Sequence, residues 1–260
     1  MPRSVVLGNG ETLIALDKFG QVRDWYFPRV GLEDHVRGHY LHRLGVFVDG
    51  QVSWVGQDSD WQIEAKCEDN ALVSSIIATN KRLQLTISLK DVVYNEYSIF
   101  VREVEITNKL KRSREIKFYF AHQFELYKSH GAETAFFDPT HHYLVHYKGQ
   151  RVFLINGEME GAPFSDYTTG LANFKDLAGS HRDAEDGELS KNPIEHGPVD
   201  SVMGFYGFYS GGESKTIHYW VCSARFIPEA NELNELVLRK TAKHIIKSTS
   251  DFWKAWVNKY

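Results

Sequence analysis

YSIFVREVEIT, residues 97–107, is the stretch that decides the fold of this 260-residue chain. Successive side chains of an extended backbone point to opposite faces. One face would carry Ile99, Val101, Glu103 and Glu105, and the other would carry Phe100, Arg102, Val104 and Ile106. This alternation predicts a β-strand. The next run, REIKFYFAHQFELY at 114–127, is long and aromatic, as expected where two sheets face each other across a core.

Shorter runs of the same kind, separated by turn residues, occur over the first 160 positions and again after residue 200. Asp49-Gly50 between two of them is a strong hairpin signal, and Gly20 suits a second hairpin turn that begins at Asp17. The further predicted strands are 12–16, 21–26, 44–48, 51–55, 60–67, 71–79, 82–90, 114–126, 142–147, 151–156, 201–209 and 215–224. The pattern predicts two packed antiparallel sheets over residues 4–225.

Two parts of the chain depart from this pattern. Residues 171–177 favour one short helix, and the polar stretch that follows, up to about residue 200, is predicted to be a long surface loop. After Pro228, which the start of a helix tolerates, apolar residues recur at near-helical spacing. These residues are Leu233, Val237, Ile245, Phe252 and Trp256. The sequence therefore predicts one long helix at the end of the chain.

The composition is that of an ordinary globular protein, with 42% hydrophobic and 25% charged residues. The formal net charge of −4 gives no electrostatic reason to expect nucleic acid as a partner. No apolar signal region begins the chain, and no apolar run approaches membrane-spanning length. Cys67 and Cys222 fit no metal or redox spacing and are expected to be buried, reduced thiols. The sequence therefore predicts a soluble, cytoplasmic protein with neither nucleic acid nor membrane as a partner.

RDWYFPRVGLEDH, residues 23–35, concentrates aromatic, charged and turn-forming residues in a way that neither strands nor helices require. Its candidate site residues are Arg23, Asp24, Trp25, Tyr26, Phe27, Pro28, Arg29, Glu33, Asp34 and His35. Because Pro28 interrupts a central strand and Gly31 permits a sharp turn, a projecting loop is predicted from about Phe27 to His39. Three interpretations of the rings stay open: core packing, a sugar-stacking platform, or docking against another domain.

Other combinations give weaker signals for chemistry. His142 and His146 have the spacing of zinc ligands on a helix, but their neighbours favour a strand, and they are interpreted as surface or loop histidines. Gly8-Asn9-Gly10 lacks the lysine and the helix of a phosphate loop and is interpreted as a turn. Glu33 and Asp34 are adjacent in sequence, which does not establish a facing acid–base pair. No catalytic residue, metal ligand or cofactor is therefore predicted.

Four segments, in order along the chain, carry a resemblance to a known family. They are LGNGETLIALDKFGQVRDWYFPRVGLEDH (7–35), EDGELSKNPIEHGPVDSVMGF (185–205), HYWVCSAR (218–225) and DFWKAWV (251–257). In this order they resemble the N-terminal part of the prokaryotic branch of glycoside hydrolase family 15, which contains glucoamylases, glucodextranases and acid-trehalase-like enzymes. The resemblance covers essentially the whole chain.

The resemblance implies an all-β, antiparallel super-β-sandwich of the galactose-mutarotase type, followed by an (α/α)6 barrel that carries both catalytic glutamates. Residues 1–227 would form the sandwich, and residues 228–260 would form a helical linker toward the barrel. The catalytic residues of the family have no matching positions in this chain. The implied function is that of a non-catalytic N-terminal domain of an inverting α-glucoside hydrolase. The domain would support its own C-terminal barrel, and residues 23–35 would lie at the rim of the active site.

Two other functions stay open. A stand-alone carbohydrate-binding module would bind oligosaccharides by itself. An enzyme similar to aldose 1-epimerases would need a histidine acid and a glutamate base on one concave sheet, for which His122 with Glu125 or Glu103 are the candidates. Affinity for maltooligosaccharides or trehalose would favour the first alternative, and accelerated mutarotation of glucose would favour the second.

Overall fold

The computed structural model describes residues 3–36, 42–128, 131–172 and 178–259. Its strands are β1 (Val5–Gly8), β2 (Leu13–Leu16), β3 (Val22–Tyr26), β4 (His42–Val48), β5 (Gln51–Trp54), β6 (Trp61–Cys67), β7 (Ser74–Asn80), β8 (Leu85–Val93), β9 (Ile99–Asn108), β10 (Arg114–Gln123), β11 (Glu133–Asp138), β12 (Tyr143–Lys148), β13 (Arg151–Met159), β14 (Ala162–Pro163), β15 (Asp166–Leu171), β16 (Ile194–Gly197), β17 (Val199–Tyr209) and β18 (Ser214–Ala224). Its α-helices are α1 (Ile227–Lys240) and α2 (Ala242–Val257), and 3₁₀ helices cover Leu126–Lys128 and Ser180–Asp186. The predicted short helix over residues 171–177 lies mostly outside the described residues.

Two antiparallel sheets form the body of the molecule. Within the described residues, sheet 1 has the strand order β1-β2-β3-β4-β10-β17-β15, with β5 paired to β4. Sheet 2 has the order β16-β11-β12-β13-β18-β9-β8-β7-β6, with β14 paired to β13. The sheets pack face to face, and the predicted all-β sandwich is confirmed.

The main hydrophobic core fills the space between the two sheets. The alternation predicted for residues 97–107 is confirmed, because Phe100 and Val104 contribute to this core, whereas Ile99 and Val101 contribute to a second core on the other face of sheet 2. Strands that are buried on both faces have little need for polar positions. This explains the unbroken apolar runs IFV (99–101) in β9 and FYFA (118–121) in β10, whose alternate members belong to different cores.

Both predicted hairpin turns are confirmed. Asp49 and Gly50 join β4 to β5 with φ angles of 51° and 79°, which is the left-handed geometry that Asp-Gly pairs accept readily. In the turn between β2 and β3, Asp17 Oδ1 accepts hydrogen bonds from Phe19 N at 2.8 Å and from Gln21 N at 3.0 Å. Local turn chemistry therefore sets the register of both hairpins.

The stretch from about residue 178 to residue 200 covers the outer face of sheet 1. Ala184 and Leu189 are buried there against Tyr119 and Val202. The prediction of a long surface loop is wrong in part, because this region also contributes β16, and β15 precedes it. These strands were missed because they are short and polar: each lies near a sheet edge, where pairing needs few apolar side chains.

The terminal helices pack on the outer face of sheet 2 and close the second core. The prediction of one long helix is wrong, because the chain breaks at Thr241, where φ is 67°. The Thr241 hydroxyl accepts a hydrogen bond from His244 N at 3.3 Å and so caps α2. No helix in the described ranges is long and apolar enough to cross a membrane.

Candidate functional site

Residues 23–35 form the end of β3 and a tight turn. Glu33 N donates to Arg29 O at 3.2 Å, and the chain returns beside β3, where Asp34 pairs with Tyr26. The prediction of a long loop that leaves at residue 27 and returns near residue 39 is therefore wrong in its described part. The turn closes within residues 29–32, and residues 37–41 lie outside the described residues.

Trp25 belongs to the core between the sheets. Its side chain is 0% exposed, its ring meets Phe124 and Phe153 edge-on at centroid distances of 5.9 and 5.7 Å, and its Nε1 donates to Ser223 Oγ. Phe27 is also buried, at 4% exposure. The core interpretation is confirmed for these two rings. The sugar-stacking interpretation is wrong for them, because neither ring has a face open to a ligand.

The two adjacent carboxylates of the stretch hold local structure. Glu33 Oε2 lies 2.6 Å from Arg151 Nη2, which ties the turn to the start of β13. Asp34 Oδ1 accepts hydrogen bonds from Trp25 N and Val36 N, both at 3.0 Å. The structure therefore engages Glu33 and Asp34 with different partners and gives them no shared acid–base geometry.

Asp24 and His35 also form contacts that stabilise the region around the turn. Asp24 Oδ2 is 2.6 Å from Arg3 Nε, and the carboxylate is almost fully buried. His35 Nε2 donates to Phe27 O at 2.7 Å, and burial lowers the pKa of the imidazole, so the ring is neutral at pH 7. The half-buried residues on β3 are Arg23 and Tyr26.

An apolar tip remains exposed on the turn. Val30 is 42% and Leu32 is 60% exposed, and Pro28 and Arg29 flank them. Beside the tip lies a small cavity of about 200 Å³, lined by Leu32, Glu33, Asp34, His35, Tyr127 and Lys128. We call the surface formed by residues 28–35, 125–128 and 148–151 the end face. It is the place where part of the predicted site meets a second segment, in which the sequence pointed only to Glu125.

That second segment, the turn after β10, has an unusual backbone. Tyr127 and Lys128 have φ angles of 58° and 56°, a left-handed geometry that residues other than glycine seldom adopt. The guanidinium of Arg151 lies 5.2 Å from the Tyr127 ring, and the Tyr127 hydroxyl accepts a hydrogen bond from Gln150 N at 3.0 Å. Strained backbone of this kind concentrates at functional sites. Neither Tyr127 nor Lys128 is a glycine, so their left-handed geometry could not be recognised from the sequence.

A buried carboxyl group lies beneath the same turn. Glu133 is 2% exposed, and its Oε1 accepts a hydrogen bond from Leu126 N at 2.7 Å. Burial raises the pKa of Glu133 to about 8, and the neighbouring charge of Glu125 acts in the same direction against that of Lys148. The group is therefore largely protonated at neutral pH. Perturbed carboxyl groups are frequent at functional sites, and this one adds to the case for the end face.

The pairing considered for an aldose-1-epimerase-like enzyme is wrong for Glu103. This residue lies on the outer face of sheet 2, where its Oε2 is 3.2 Å from His218 Nε2. His122 is 1% exposed and lies between the two sheets, as the parity of β10 requires. Glu125 is equally buried, at 1% exposure. His122 and these glutamates therefore do not meet on an open concave sheet in the described structure.

The two histidines with the spacing of zinc ligands, His142 and His146, lie in different surroundings. His142 Nε2 donates to Phe164 O at 3.0 Å, whereas His146 is buried between the sheets, with its Nε2 2.8 Å from Ser201 Oγ. The interpretation as surface or loop residues is thus wrong for His146. Among the residues that the structure describes, no three His, Cys, Asp or Glu side chains are grouped so that they could hold a metal ion.

The distal part of α2 forms a second exposed apolar surface. Its exposed residues are Phe252 at 43%, Trp256 at 55% and Val257 at 40%. Trp253 lies between the two rings, at centroid distances of 5.2 Å from Phe252 and 5.9 Å from Trp256. The predicted apolar stripe is therefore buried at Val237 and Ile245 but open to solvent in the last turns. We call the surface formed by Phe252, Trp253, Trp256 and Val257 the aromatic end of α2.

Comparison with known proteins relates the chain to carbohydrate-active enzymes. No protein-family model matches it. It is 23% identical over 254 residues to an uncharacterized glycosyl hydrolase of Methanocaldococcus jannaschii, an alignment that covers 96% of this chain and 39% of that protein. The chain therefore spans about two fifths of the length of this curated relative.

Two solved structures share the fold. A bacterial glucoamylase complexed with acarbose superposes with a TM-score of 0.76 at 11% identity, over 99% of this chain and 37% of that one. A putative kojibiose phosphorylase from the human microbiome superposes with a TM-score of 0.55 at 9% identity, over 95% of this chain and 35% of that one. With the sequence similarity above, these matches indicate a glycoside-hydrolase-related domain; at such identities the structures themselves establish the fold alone.

Proposed function

We propose that this chain is the non-catalytic β-sandwich domain of a family-15-like glycoside hydrolase that acts on α-glucosides. In this proposal the sandwich supports an (α/α)6 catalytic barrel of the same protein, and the end face lies at the rim of the active site. The observation that carries the proposal is the superposition of 99% of the chain onto 37% of a glucoamylase. A domain that matches so completely a minor part of a larger enzyme is expected to act together with the rest of it.

The exposed apolar surfaces support a contact with another domain. Leu32 at the end face and Trp256 at the aromatic end of α2 are 60% and 55% exposed. Contiguous apolar surface on a folded domain commonly marks an interaction site. At the end face, the ion pair between Glu33 and Arg151 borders the apolar tip, as polar rims border the centres of interfaces.

The test compares the isolated chain with the full-length product of the gene that encodes it. Hydrogen exchange followed by mass spectrometry reads both proteins under the same conditions. We expect the amides of residues 29–33, 126–128 and 252–257 to exchange about tenfold more slowly in the full-length product, because a docked domain covers them. The hairpin at Asp49-Gly50 is the internal control and is expected to exchange equally in both.

Two outcomes would contradict the proposal. One is equal exchange in both proteins at all three segments. The other is hydrolysis of maltooligosaccharides, isomaltooligosaccharides or trehalose by the isolated chain that is lost in Glu33→Gln, because the chain would then be an enzyme in its own right.

Carbohydrate binding by the chain itself is a second candidate, and one cleft favours it. The cleft has a volume of about 600 Å³ and lies beside the edge strand β15. Among its lining residues are Thr168, Thr169, Ser180, Arg182, Ser190 and Glu195. Hydroxyl and charged groups of this kind suit the hydroxyls of a sugar. Calorimetric titration with maltotetraose tests this candidate, and loss of the binding heat in Arg182→Ala but not in Arg112→Ala would support it.

A further inference from the structure

Three histidines from both sheets meet in the core beneath the end face. His42 lies on β4 and His122 on β10 of sheet 1, and they are cross-strand partners. His146 comes from β12 of sheet 2. The ring centroids of His42 and His122 are 5.7 Å apart, and those of His122 and His146 are 6.5 Å apart. We call these three residues the histidine cluster. Each is at most 5% exposed.

One hydroxyl group joins the two sheets through this cluster. Ser201 Oγ lies 3.1 Å from His122 Nδ1 and 2.8 Å from His146 Nε2. A hydroxyl has a single proton, so it donates to one ring and accepts from the other. The ring that accepts the Ser201 proton must therefore be neutral, whereas the ring that donates to Ser201 Oγ keeps its N–H in either protonation state. A second proton on the accepting ring would remove the lone pair that receives the Ser201 proton.

Three further ring nitrogens of the cluster have no hydrogen-bond partner in the described chain. His42 Nε2, His122 Nε2 and His146 Nδ1 are buried and make no hydrogen bond within the described chain. A charged imidazole at any of these positions would be desolvated without a partner, which is costly. The neutral state of the cluster is thus built into its surroundings.

The groups that face the cluster come from several strands. Tyr219 of β18 stacks on His122 with an interplanar angle of 2°, and Phe124 packs against both His42 and His146. Trp25 of β3 lies 5.6 Å from His42 between ring centroids. The buried cation of Arg102, paired with Asp91, is the charged group that acts on His42, and it repels an imidazolium.

We propose that the histidine cluster is an acid-sensitive clamp between the two sheets. As the pH falls below 6.5, proton uptake by the opened cluster favours a state in which the Ser201 bridge is broken, β12 is parted from β10 at this end, and Phe124 is released together with the turn that follows it at the end face. The clamp itself does not depend on the function proposed above. Its consequence, acid release of a docked domain, rests on that function.

The direction of the pH effect follows from the protonation of the rings. Burial lowers the pKa of His42 and His146 from 6.5 to about 3, with repulsion by His146 and Arg102 adding to the effect at His42. Burial and the other two rings lower the pKa of His122 as well. Because these folded-state pKa values are depressed, the stability from the neutral rings is complete above pH 6.5 and is lost progressively as the pH falls from 6.5 to about 3.

The test is hydrogen exchange of the isolated chain between pH 7.5 and pH 4.5, corrected for the intrinsic pH dependence of exchange. The amides of β4, β12 and the end of β10 should lose protection about tenfold per pH unit for each proton taken up below pH 6.5. Strand β7, at the other side of sheet 2, should keep its protection over most of this range. A uniform loss in all strands, or no loss above pH 4.5, would overturn the proposal.

A variant separates the cluster from general acid effects. His122→Phe keeps a flat ring beside Tyr219 but cannot take up a proton, so we expect the slope of protection against pH to fall by about one proton. His244→Phe, at an exposed histidine of α2, is the matched control and should leave the slope unchanged. An unchanged slope in His122→Phe would contradict the clamp.

If His122→Phe does not fold, the wild-type chain still decides the question. Nitrogen-15 spectra of the imidazoles should show the three rings as neutral tautomers at every pH at which the protein stays native. Titration of any of the three near pH 6.5 within an intact fold would refute the clamp, because such a ring would accept a proton without breaking the bridge. None of these readouts requires the catalytic domain, so the clamp and the proposed function can fail separately.

Discussion

Each end of β10 buries a basic side chain, and the two ends satisfy its hydrogen bonds to different degrees. At its beginning, the buried guanidinium of Arg114 donates to Asn108 Oδ1, Leu83 O and Gln84 O at 2.7–3.0 Å, and it pairs with Asp49 at 2.8 Å. Eight residues further on, a distance of about 26 Å along an extended strand, His122 shares one serine hydroxyl and leaves its Nε2 without a hydrogen bond in the described structure.

The difference separates a part of the sandwich that is built for stability from a part that tolerates unfavourable groups. A buried cation whose three nitrogen atoms all donate hydrogen bonds fixes the turns around it. The opposite end combines a strained turn, a carboxyl group with a raised pKa and the histidine cluster, all next to the exposed apolar tip of the end face. Natural domains accept such local costs mainly where a function requires them.

The largest effect is expected in the aromatic core that lies next to the histidine cluster. Trp25→Ala should lower the free energy of unfolding by about 3–5 kcal/mol, because it opens a cavity among Phe124 and Phe153. Trp256→Ala is a control of the same residue type, and at 55% exposure it should change the free energy by no more than about 0.5 kcal/mol. Urea unfolding followed by circular dichroism measures both. Similar losses in the two variants would mean that Trp25 is less well packed than its burial indicates.

The next largest effect on stability is expected at the beginning of β10, where Arg114 is buried. Arg114→Met should cost about 3 kcal/mol, because it leaves the buried acceptor Leu83 O without its donor and removes one of the two hydrogen bonds to Asn108 Oδ1. Arg112→Met removes a guanidinium that pairs with the same Asp49 at 2.9 Å but is 65% exposed, so it should cost no more than about 0.5 kcal/mol. If Arg114→Met is as mild as its neighbour, the contrast between the two ends of β10 is not energetic.

A smaller, pH-dependent effect is expected at Glu133. Its folded-state pKa is raised from 4.5 to about 8, so its favourable contribution is complete below pH 4.5 and is lost as the pH rises through 8. Glu133→Gln keeps an oxygen for Leu126 N but cannot ionise. We therefore expect the variant to gain stability relative to wild type from pH 5 to pH 9 in urea unfolding. Glu188→Gln, at an exposed position, should show no such trend, and a parallel pH dependence of Glu133→Gln and wild type would exclude the raised pKa.

The sequence predicted the sandwich well because the signals for it are local. Alternation over residues 97–107 and the Asp49-Gly50 turn depend on neighbours in the chain, and both were confirmed. The break at Thr241 was missed, because a threonine with positive φ follows from how two helices pack on sheet 2 rather than from its own propensity.

The candidate site was harder to predict, because it is assembled across long separations. Trp25 looked available in the sequence, but the strands β10 and β13 bury its ring. Tyr127 directly follows the predicted strand 114–126, and a left-handed turn places it beside Leu32. His122 and His146 each gave a weak signal on their own, and their meeting with His42 depends on how the two sheets face each other. Pairing between distant strands cannot be read from periodicity alone.

The smallest effect on stability is expected at the apolar tip of the end face. A small effect there would separate the end face most clearly from the parts of the sandwich that stabilise the fold. Leu32→Ala should change the free energy of unfolding of the isolated chain by no more than about 0.5 kcal/mol, because the side chain is 60% exposed. Leu238→Ala, at 50% exposure on α1, is the control of the same type. In the full-length gene product, Leu32→Ala should speed the exchange of residues 126–128 toward the rate in the isolated chain, whereas Leu238→Ala should not. A loss of several kcal/mol in the isolated Leu32→Ala chain would make the tip part of the fold, and the strained turn beside it would then need a structural explanation instead of a functional one.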